Sequence, residues 1–258
     1  MDLGETFDPG GTCSWVAPAT DAHGRDVVLK VAWWHTEAEH EAEGLAALAG
    51  NGAVELYASE RIADDTTALL LERCRPGTDL RGRPEAEQHA VVVGLLHKVW
   101  AVDLPPENPF RPLSAMAGDW TLSAETRLAA EPGRLDGGVA REGLELFREL
   151  SRPAPTDVLL VTDLHAGNVL AAERRPWLLV DPKPYVGDPH YDVVQHLLNC
   201  HESLAADPVG LSTRVADLAG LDAGRVQAWL FARCVQELLG DASPWSGLGV
   251  VLERLCAS

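Results

Sequence analysis

Two short apolar runs near the middle of the chain each lead into an aspartate. The runs at 158–161 and 177–180 are followed by Asp163 and Asp181, and Asn168 lies five residues after the first aspartate. A single aspartate at a strand end is most often a turn or helix cap. The repeated pattern instead indicates a site in which Asn168 and Asp181 supply oxygen ligands for a hard cation such as Mg²⁺. Asp163 would then be free to accept a proton from a hydroxyl nucleophile.

The spacing around these residues is typical of phosphoryl-transfer enzymes. The segment DLHAGN, 163–168, matches the catalytic-loop pattern D-x-x-x-x-N, and LLVDPK, 178–183, stands where kinases carry the aspartate of their metal-binding triplet. Phosphoryl transfer requires a positioning carboxylate and metal ligands, which this set supplies. With apolar runs on both sides, the pattern favours catalysis over simple capping.

A lysine in an early apolar run offers a cation for phosphates. Lys30 lies within DVVLKVAW, a predicted strand, and a lysine in mid-strand is by itself more often solvent-facing. The following helix changes that interpretation, because Glu41, Leu45 and Leu48 recur at i, i+4 and i+7 and share its inward face. A buried carboxylate needs a basic partner. The pattern therefore predicts that Glu41 holds Lys30 toward the phosphates, as in kinases.

The N-terminal glycine pair is a weaker phosphate-binding signal. The segment FDPGGTCSW places Gly10, Gly11 and Ser14 at a turn before the lysine strand. Backbone N–H groups at such a turn can hold phosphate oxygens, but a plain Gly-Gly turn fits equally well. The segment does not match the pattern G-x-G-x-x-G.

The elements around these residues indicate a small β-rich lobe followed by a larger helical lobe. Residues 1–75 combine strand-like runs with one helix at 36–50, for which Thr36 is the predicted N-cap. The Pro- and Gly-rich segment RPGTDLRGRP marks the boundary, and residues 76–258 are mainly helical. Further helices are predicted at 84–100, 123–131, 139–151, 189–204, 211–219, 222–240 and 247–256. The predicted fold class is α+β, with a cleft between the lobes.

Composition limits the partners of the chain. Its 258 residues carry a formal charge of −18, which argues against nucleic acid or an anionic membrane as the main partner and favours cations or amine-bearing small molecules. Such acidity also serves solubility alone. The five cysteines show no C-x-x-C spacing, and the sequence shows no signal-peptide pattern or membrane-length apolar run. We therefore expect a cytoplasmic protein, monomeric or homodimeric.

Together these motifs resemble the aminoglycoside phosphotransferase family, which shares the protein-kinase-like fold. The likeness covers nearly the whole chain and is carried by LKV, HEAEGLAAL, LLLER, DLHAGNVL and LLVDPKPYVGDPHYD. The sequence is most similar to the streptomycin 6-phosphotransferase and hydroxyurea phosphotransferase branch of actinobacteria. The resemblance implies a kinase that uses ATP and Mg²⁺, with GTP still open as the donor, and that phosphorylates a hydroxyl of a small acceptor such as a cationic aminoglycoside.

The resemblance also implies a role for each candidate residue. Asp163 would be the catalytic base or orienting residue, with Asn168 and Asp181 as Mg²⁺ ligands. The nucleotide-binding residues would be Lys30 with its partner Glu41, the turn residues Gly10, Gly11 and Ser14, and Glu72 and Cys74 at a hinge whose backbone meets adenine. Relatives often carry histidine two residues before the catalytic aspartate, where this chain has Val161, so the support of the loop is in question.

Two alternatives stand beside an antibiotic kinase. Similar folds phosphorylate amino sugars, choline and other metabolites, and fold does not settle the acceptor. A metabolic small-molecule kinase is therefore the first alternative. The second is a catalytically silent binding protein that retains the fold, which Val161 and the irregular glycine turn suggest. The presence of all four predicted catalytic and phosphate-binding residues argues against this second alternative.

Overall fold

The computed structural model describes residues 1–7, 13–240 and 247–257. The predicted phosphate turn at Gly10 and Gly11 lies outside the described residues, so its role stays a prediction. Within the described part of the chain, no helix combines the length and apolar character needed to cross a bilayer.

The N-terminal part of the chain forms an antiparallel sheet. Its strands are β1 Asp2–Leu3, β2 Ser14–Thr20, β3 Asp26–Trp33, β4 Leu56–Ala63 and β5 Thr66–Glu72. They lie side by side in the order β1-β2-β3-β5-β4. Strands β2 and β3 form an antiparallel hairpin, and in its turn the Asp21 carboxylate accepts hydrogen bonds from the N–H groups of His23 (2.8 Å) and Arg25 (2.9 Å). Gly24 supplies the positive φ of 78° in this turn.

Helix α1, Glu41–Leu48, is shorter than the predicted helix at 36–50. The predicted N-cap at Thr36 is wrong, since the chain forms turns up to His40, which is the N-cap residue. The helix ends with Ala49 in the left-handed conformation (φ 47°). Its first residue is an acid, which the helix dipole favours. That residue is also fixed by a lysine of β3, so a tertiary contact sets where the helix starts.

The remainder of the described chain is mainly helical, as predicted. Its helices are α2 Glu85–Trp100, α3 Leu113–Ala130, α4 Gly137–Leu150, α5 Pro189–Leu198, α6 His201–Ala206, α7 Pro208–Ala219, α8 Ala223–Leu239 and α9 Leu248–Cys256. Helix α3 begins ten residues earlier than predicted, directly after Pro112, whose φ of −68° suits a helix start. The helix predicted at 189–204 is two helices, because Cys200 leaves the helical conformation (φ −93°, ψ 57°).

Between α4 and α5, where every residue is described, four short strands carry the candidate catalytic segment. They are β6 Val158–Leu160, β7 Val169–Ala171, β8 Trp177–Leu179 and β9 Tyr185–Gly187. Strand β6 pairs with β9, and β7 pairs with β8, both antiparallel. The two strands predicted from apolar runs are confirmed, but they do not pair with each other. Their partners β7 and β9 are three residues long, as are β6 and β8, and were not predicted.

The sheet and the helical part share one hydrophobic core, which extends from α1 and β5 through β8 to α9. Backbone hydrogen bonds also cross between them, since Val54 donates to the carbonyl of Leu179 (3.1 Å) and Leu179 donates to that of Gly52 (2.9 Å). The sheet ends at Glu72, close to the predicted boundary. The division into lobes at 1–75 and 76–258 stays a prediction.

Candidate active site

Lys30 is the centre of a buried ion cluster. Its Nζ donates hydrogen bonds to both carboxylate oxygens of Glu41 (2.8 and 2.7 Å) and to Oδ1 of Asp181 (2.5 Å). Lys30 and Glu41 are only 7% and 4% exposed. Burial alone would lower the pKa of Lys30, but the two carboxylates raise it above its ordinary value, so the ammonium stays charged. The structure therefore brings the predicted strand lysine and helix glutamate into direct contact.

Asp163, in the loop after β6, is held by three neighbours. Its Oδ2 accepts a hydrogen bond from Nζ of Lys183 (2.6 Å), and its Oδ1 accepts one from Nε2 of Gln195 (3.0 Å). Its backbone carbonyl accepts a hydrogen bond from Nδ2 of Asn168 (2.9 Å). The carboxylate is thus fixed in orientation and keeps a lone pair on each oxygen. The Asn168 contact turns that amide nitrogen toward the loop and its oxygen away from it.

The backbone at the two aspartates is strained. Thr162 has a φ of 43° and Asp181 a φ of 55°, in the left-handed region that residues other than glycine rarely adopt. Local contacts hold Thr162, whose Oγ1 donates to the carbonyl of Lys183 (2.7 Å). Such strain persists where surrounding contacts over-determine it, and it is commonest at functional sites. Here it occurs directly before Asp163 and at Asp181 itself.

Asp192 of α5 supports the same loop from inside the core. It is 0% exposed and accepts hydrogen bonds from the N–H groups of Val161 (3.3 Å) and Thr162 (2.8 Å). Nε1 of Trp100 donates a third hydrogen bond, at 3.1 Å. Burial raises the pKa of Asp192 to about 7, although these three donors act to lower it. The loop support that was in question at Val161 is therefore supplied through its backbone.

Gln195 is itself held by the buried side chain of Arg233. The Nη2 atom of Arg233 donates hydrogen bonds to Oε1 of Gln195 (3.3 Å) and Oε1 of Glu237 (2.7 Å). Its Nη1 donates to the hydroxyl of Tyr191 (3.0 Å). Because the arginine binds the amide oxygen, the amide nitrogen of Gln195 is directed to Asp163. The Asp163 carboxylate is thereby connected to α8 through two successive hydrogen bonds.

The donor set suits a hard cation. Three carboxyl groups and two ammonium groups meet here, and burial raises the pKa of one of the carboxyl groups, Glu41, to about 7. The Asp181 side chain is 43% exposed, with Lys30 on its Oδ1. Val180, which directly precedes Asp181, donates its N–H to the carbonyl of Asn168 (2.9 Å). This backbone contact places Asn168 close to Asp181. Carboxylate and amide oxygens are ligands that Mg²⁺ prefers, so the residues present fit the predicted ion.

The sequence matches a known family over most of its length. A family profile described as aminoglycoside/hydroxyurea antibiotic resistance kinase covers residues 4–238. The chain belongs to this kinase family. It is 37% identical to hydroxyurea phosphotransferase of Kitasatospora aureofaciens over 90% of this chain and 66% of that protein. It is 33% identical to streptomycin 6-kinase of Streptomyces griseus over 90% of this chain and 76% of that protein. The chain thus spans just under two-thirds of the length of the first relative and about three-quarters of the second.

Several solved structures share the fold of this chain. A thermostable mutant of aminoglycoside phosphotransferase APH(4)-Ia, solved in ternary complex with AMP-PNP and hygromycin B, matches 99% of this chain and 93% of that chain. The TM-score is 0.66 at 18% sequence identity, so this likeness concerns the fold alone. The predicted α+β, protein-kinase-like fold and the predicted resemblance to aminoglycoside phosphotransferases are both confirmed.

The predicted hinge residues lie at the end of β5. Glu72 is the last residue of that strand, and its carboxylate accepts two hydrogen bonds from Arg174 (2.9 and 2.7 Å). Cys74 is half-buried, and burial raises the pKa of its thiol to about 12, so the thiol is neutral. Ser14 is the first residue of β2. Contact of these residues with a nucleotide stays a prediction.

Arg174 connects the sheet with the β7–β8 connection. Besides Glu72, it binds the backbone carbonyls of Gly50 (2.7 Å) and Ala53 (2.8 Å). Its side chain is 31% exposed and that of Glu72 is 11% exposed. A guanidinium that binds a carboxylate through two nitrogens is a strong, geometrically specific contact. The Glu72 side chain therefore has a structural partner whatever the backbone at the hinge binds.

Three residues of the site were not predicted, namely Lys183, Gln195 and Asp192. Lys183 had a usable signal, because it follows the predicted Mg²⁺ ligand Asp181 by two positions and is one of only three lysines in the sequence. Asp192 and Gln195 both lie on α5. In the sequence, an acid in the first turn resembles a residue that compensates the helix dipole, and a glutamine resembles an ordinary solvent-exposed residue. Only the fold shows that these two side chains point to the catalytic loop.

Proposed function

We propose that this protein transfers the γ-phosphoryl group of ATP to a hydroxyl group of a small molecule. The observation that carries the proposal is the network joining the predicted catalytic residues. Lys30 contacts Asp181 at 2.5 Å, and the Asn168 amide contacts the Asp163 backbone at 2.9 Å. Lys183 contacts Asp163 at 2.6 Å and also interacts electrostatically with Asp181, so its charge couples the two pairs. Burial raises the pKa of Asp181, but the charges of Lys30 and Lys183 outweigh burial and lower it.

Asn168 and Asp181 would hold the Mg²⁺ ion. When bound, the ion neutralises phosphate charge. Lys30 would contact the nucleotide phosphates, and its contact with Glu41 keeps the ammonium from turning into the core. The lysine is thereby positioned before the nucleotide arrives, so little side-chain ordering is required at the moment of binding.

Asp163 is the residue that we assign to the acceptor hydroxyl. Its carboxylate would accept the hydrogen bond of the hydroxyl and then take the proton. The acceptor oxygen bonds to the γ-phosphorus while the bond from that phosphorus to the β,γ-bridging oxygen breaks, and ADP leaves. Gln195 and Lys183 hold the carboxylate in one orientation, which supports alignment of the hydroxyl for attack.

Lys183 is the second cation of the proposed mechanism. An ammonium group has three N–H donors, so Lys183 can keep its hydrogen bond to Asp163 while donating to an oxygen of the transferring group. Its side chain is 26% exposed. In such a partly desolvated position a fixed cation stabilises developing negative charge more strongly than it would in water.

The acceptor that the charge distribution supports best is a cationic, hydroxylated antibiotic of the streptomycin type. Tyr185 follows Lys183 by two positions. Burial raises the pKa of this tyrosine, and the charge of Arg111 lowers it. Three acids near this tyrosine raise its pKa further, and they are Glu37, Asp119 and Glu39. These carboxylates, together with the formal charge of −18, favour an amine- or guanidine-bearing acceptor.

Hydroxyurea is the second candidate acceptor. The 37% identity to a hydroxyurea phosphotransferase favours it. Hydroxyurea is uncharged, so the acidic surroundings give it no electrostatic advantage. A dependence of KM on ionic strength therefore separates the two candidates, because only a cationic acceptor should bind more weakly as salt screens the carboxylates.

Incubation of the full chain with ATP, Mg²⁺ and separate acceptors tests the proposal. The panel is streptomycin, other aminoglycosides, hydroxyurea, glucosamine and choline, with ADP formation as the measurement. We expect streptomycin-dependent ADP formation and a product that carries one added phosphoryl group by mass spectrometry. Asp163→Asn keeps the side-chain shape but cannot accept the proton, so turnover should fall about 10²–10⁴-fold. The Asp163→Asn variant should still be thermally stabilised by ATP.

Two results would contradict the proposal. Brisk turnover of glucosamine or choline without turnover of any antibiotic would replace the acceptor with a metabolite. Absence of turnover together with absence of stabilisation by ATP and Mg²⁺ would favour a catalytically silent protein, since a ligand at a hundred times its Kd adds about 2.7 kcal/mol to the free energy of unfolding.

A further inference from the structure

A cluster of nitrogen and sulfur ligands lies beneath the catalytic loop, where α2 packs against α5. It consists of His89 on α2, His196 on α5 and Cys200 directly after α5, and one ligand atom of each lies within 4.8 Å of the others. His196 is 1% and Cys200 6% exposed. We propose that these three side chains bind a transition-metal ion of the zinc class, at a site separate from the proposed Mg²⁺ ligands.

The chemistry of the three donors selects this class of ion. Imidazole nitrogen and thiolate sulfur are ordinary zinc ligands, whereas Mg²⁺ and Ca²⁺ take oxygen. His196 and Cys200 are four residues apart, which places them on one side of α5 and its extension. His89 faces them from the neighbouring helix. Zinc commonly completes such a three-ligand set with water.

The distances are close to those of a metal centre. Nδ1 of His89 lies 2.8 Å from Nε2 of His196, and Sγ of Cys200 lies 3.9 Å from the same Nε2. Tetrahedral ligands with zinc bonds of about 2.0–2.3 Å are separated by about 3.3–3.6 Å, between these two values. The short contact is a hydrogen bond in which the two imidazoles share one proton. A bound ion would displace the thiol proton to solvent and send the shared proton to the outer nitrogen of one imidazole, with side-chain displacements of about half an ångström.

The surroundings of His89 match the outer shell of a zinc site. Its other nitrogen, Nε2, lies 3.4 Å from Oε1 of Glu85. Ser203 donates a hydrogen bond to the second oxygen of that carboxylate at 2.8 Å. Zinc-binding histidines commonly donate their free N–H to a carboxylate, which fixes the tautomer and ring orientation. One zinc ion, one thiolate and this carboxylate also sum to zero charge, which suits a buried position.

An ion at this position would act on the catalytic loop through α5. The same helix carries Asp192, which accepts the loop N–H groups, and Gln195, which donates to the catalytic aspartate. Cross-linking α5 to α2 would fix both side chains relative to the loop. The proposed role is structural, since the ion would act by holding α5 against α2.

Cobalt and zinc binding to the full chain test this inference. We expect one equivalent of zinc by elemental analysis after reconstitution and dialysis, and a rise in Tm that a chelator reverses. Co²⁺ in place of zinc should give visible ligand-field bands and a near-ultraviolet thiolate-to-cobalt charge-transfer band. Cys200→Ser should lose the charge-transfer band, and His89→Gln should weaken binding of both ions at least tenfold.

Matched controls separate this cluster from incidental binding. Cys256→Ser and His23→Gln alter an exposed cysteine and an exposed histidine and should retain full binding. Circular dichroism of each variant establishes that it is folded. Retention of zinc or of the charge-transfer band by folded Cys200→Ser and His89→Gln would overturn the proposal. Absence of zinc binding by the wild-type chain would do the same and would leave the cluster as a hydrogen-bonded histidine pair beside a thiol.

Discussion

The ammonium of Lys183 lies 2.6 Å from Oδ2 of Asp163. This ion pair joins the residue proposed to receive the proton of the acceptor to a cation that follows the proposed metal ligand Asp181 by two positions. Burial alone would lower the pKa of Lys183, but the Asp163 and Asp181 carboxylates raise it, so the side chain carries a full charge at neutral pH. In the proposed mechanism, the pair would bring a positive charge to the place where the phosphoryl oxygens accumulate negative charge.

Replacement of Lys183 by methionine should impair catalysis more than nucleotide binding. Without the cation, kcat should fall about 10²–10³-fold. The affinity for ADP should change little, whereas the additional affinity that the γ-phosphate gives ATP should shrink. Steady-state kinetics and calorimetric titration with ADP and a non-hydrolysable ATP analogue measure these two effects.

Two further variants sharpen the test at this lysine. Lys98→Met removes a lysine of α2 that lies outside the site and should keep wild-type kcat. Lys183→Arg keeps the charge and should recover part of the lost rate. Wild-type kcat in Lys183→Met would restrict the lysine to holding the loop. A purely structural role would also predict equal losses for ADP and ATP.

Asp181→Ala should remove the Mg²⁺ dependence of nucleotide binding. The variant lacks one of the two proposed oxygen ligands and also frees Lys30 from its 2.5 Å contact. We expect affinity for ATP with Mg²⁺ to fall at least about tenfold, equivalent to about 1.4 kcal/mol, and to become insensitive to a chelator. Thermal shift with and without Mg²⁺ measures the change. Unchanged Mg²⁺-dependent binding would remove Asp181 from the ligand set.

Asp192→Asn should lose a pH-dependent part of the stability. The carboxyl has a pKa of about 7 in the folded protein, against an ordinary value of 3.8. Between these values the folded state keeps a proton that the unfolded state has released, so the contribution of Asp192 to the free energy of unfolding falls as pH rises toward 7. The stability of wild type relative to the variant should therefore be about 2–3 kcal/mol greater at pH 5 than at pH 8.

Denaturant titrations of both proteins at the two pH values measure this difference. Asp103→Asn, at an exposed aspartate, is the matched control for the substitution. A difference that is constant with pH would show that Asp192 has the same protonation state in the folded and unfolded chains. That result would mean that the three N–H donors outweigh burial.

Glu72→Gln should destabilise the protein without a change in KM for ATP. The substitution removes the charge that Arg174 binds at 2.7 and 2.9 Å. Because the pair is partly exposed, the free energy of unfolding should fall by about 1–2 kcal/mol. Glu60→Gln, at an exposed position of β4, is the control and should be neutral. A rise in KM for ATP in a folded Glu72→Gln variant would instead place this side chain in contact with the nucleotide.

The contact between Lys30 and Glu41 could be predicted from the helix pattern, because the glutamate shares a helix face with Leu45 and Leu48, which are 1% and 2% exposed. A buried carboxylate needs a basic partner, and Lys30 lies on the preceding strand. Local periodicity was sufficient for the pairing. It was insufficient for the start of α1, because the preceding acidic residues also have helical propensity, whereas the helix begins at Glu41, whose carboxylate is held by Lys30 of β3.

The missed residues share a different property. Asp192 and Gln195 reach the loop of Asp163 over about thirty positions of sequence, and no local pattern encodes where α5 packs. Val161 illustrates the same limit, because the missing histidine suggested weak loop support, whereas the fold provides it through backbone N–H groups. Side chains that act on a distant backbone leave no periodic signal, so they become visible only when the tertiary structure is known.

Because the chain contains only three lysines, lysine labelling can measure nucleotide binding in the proposed cleft. Among three lysines, Lys30 and Lys183 lie in the ion cluster, and Lys98 lies on α2. An amine-selective acylating reagent bearing an adenine nucleotide would therefore mark two informative positions and one internal reference in a single peptide map. Protection of the first two by a bound triphosphate, with unchanged labelling of the third, would quantify filling of the cleft without any turnover.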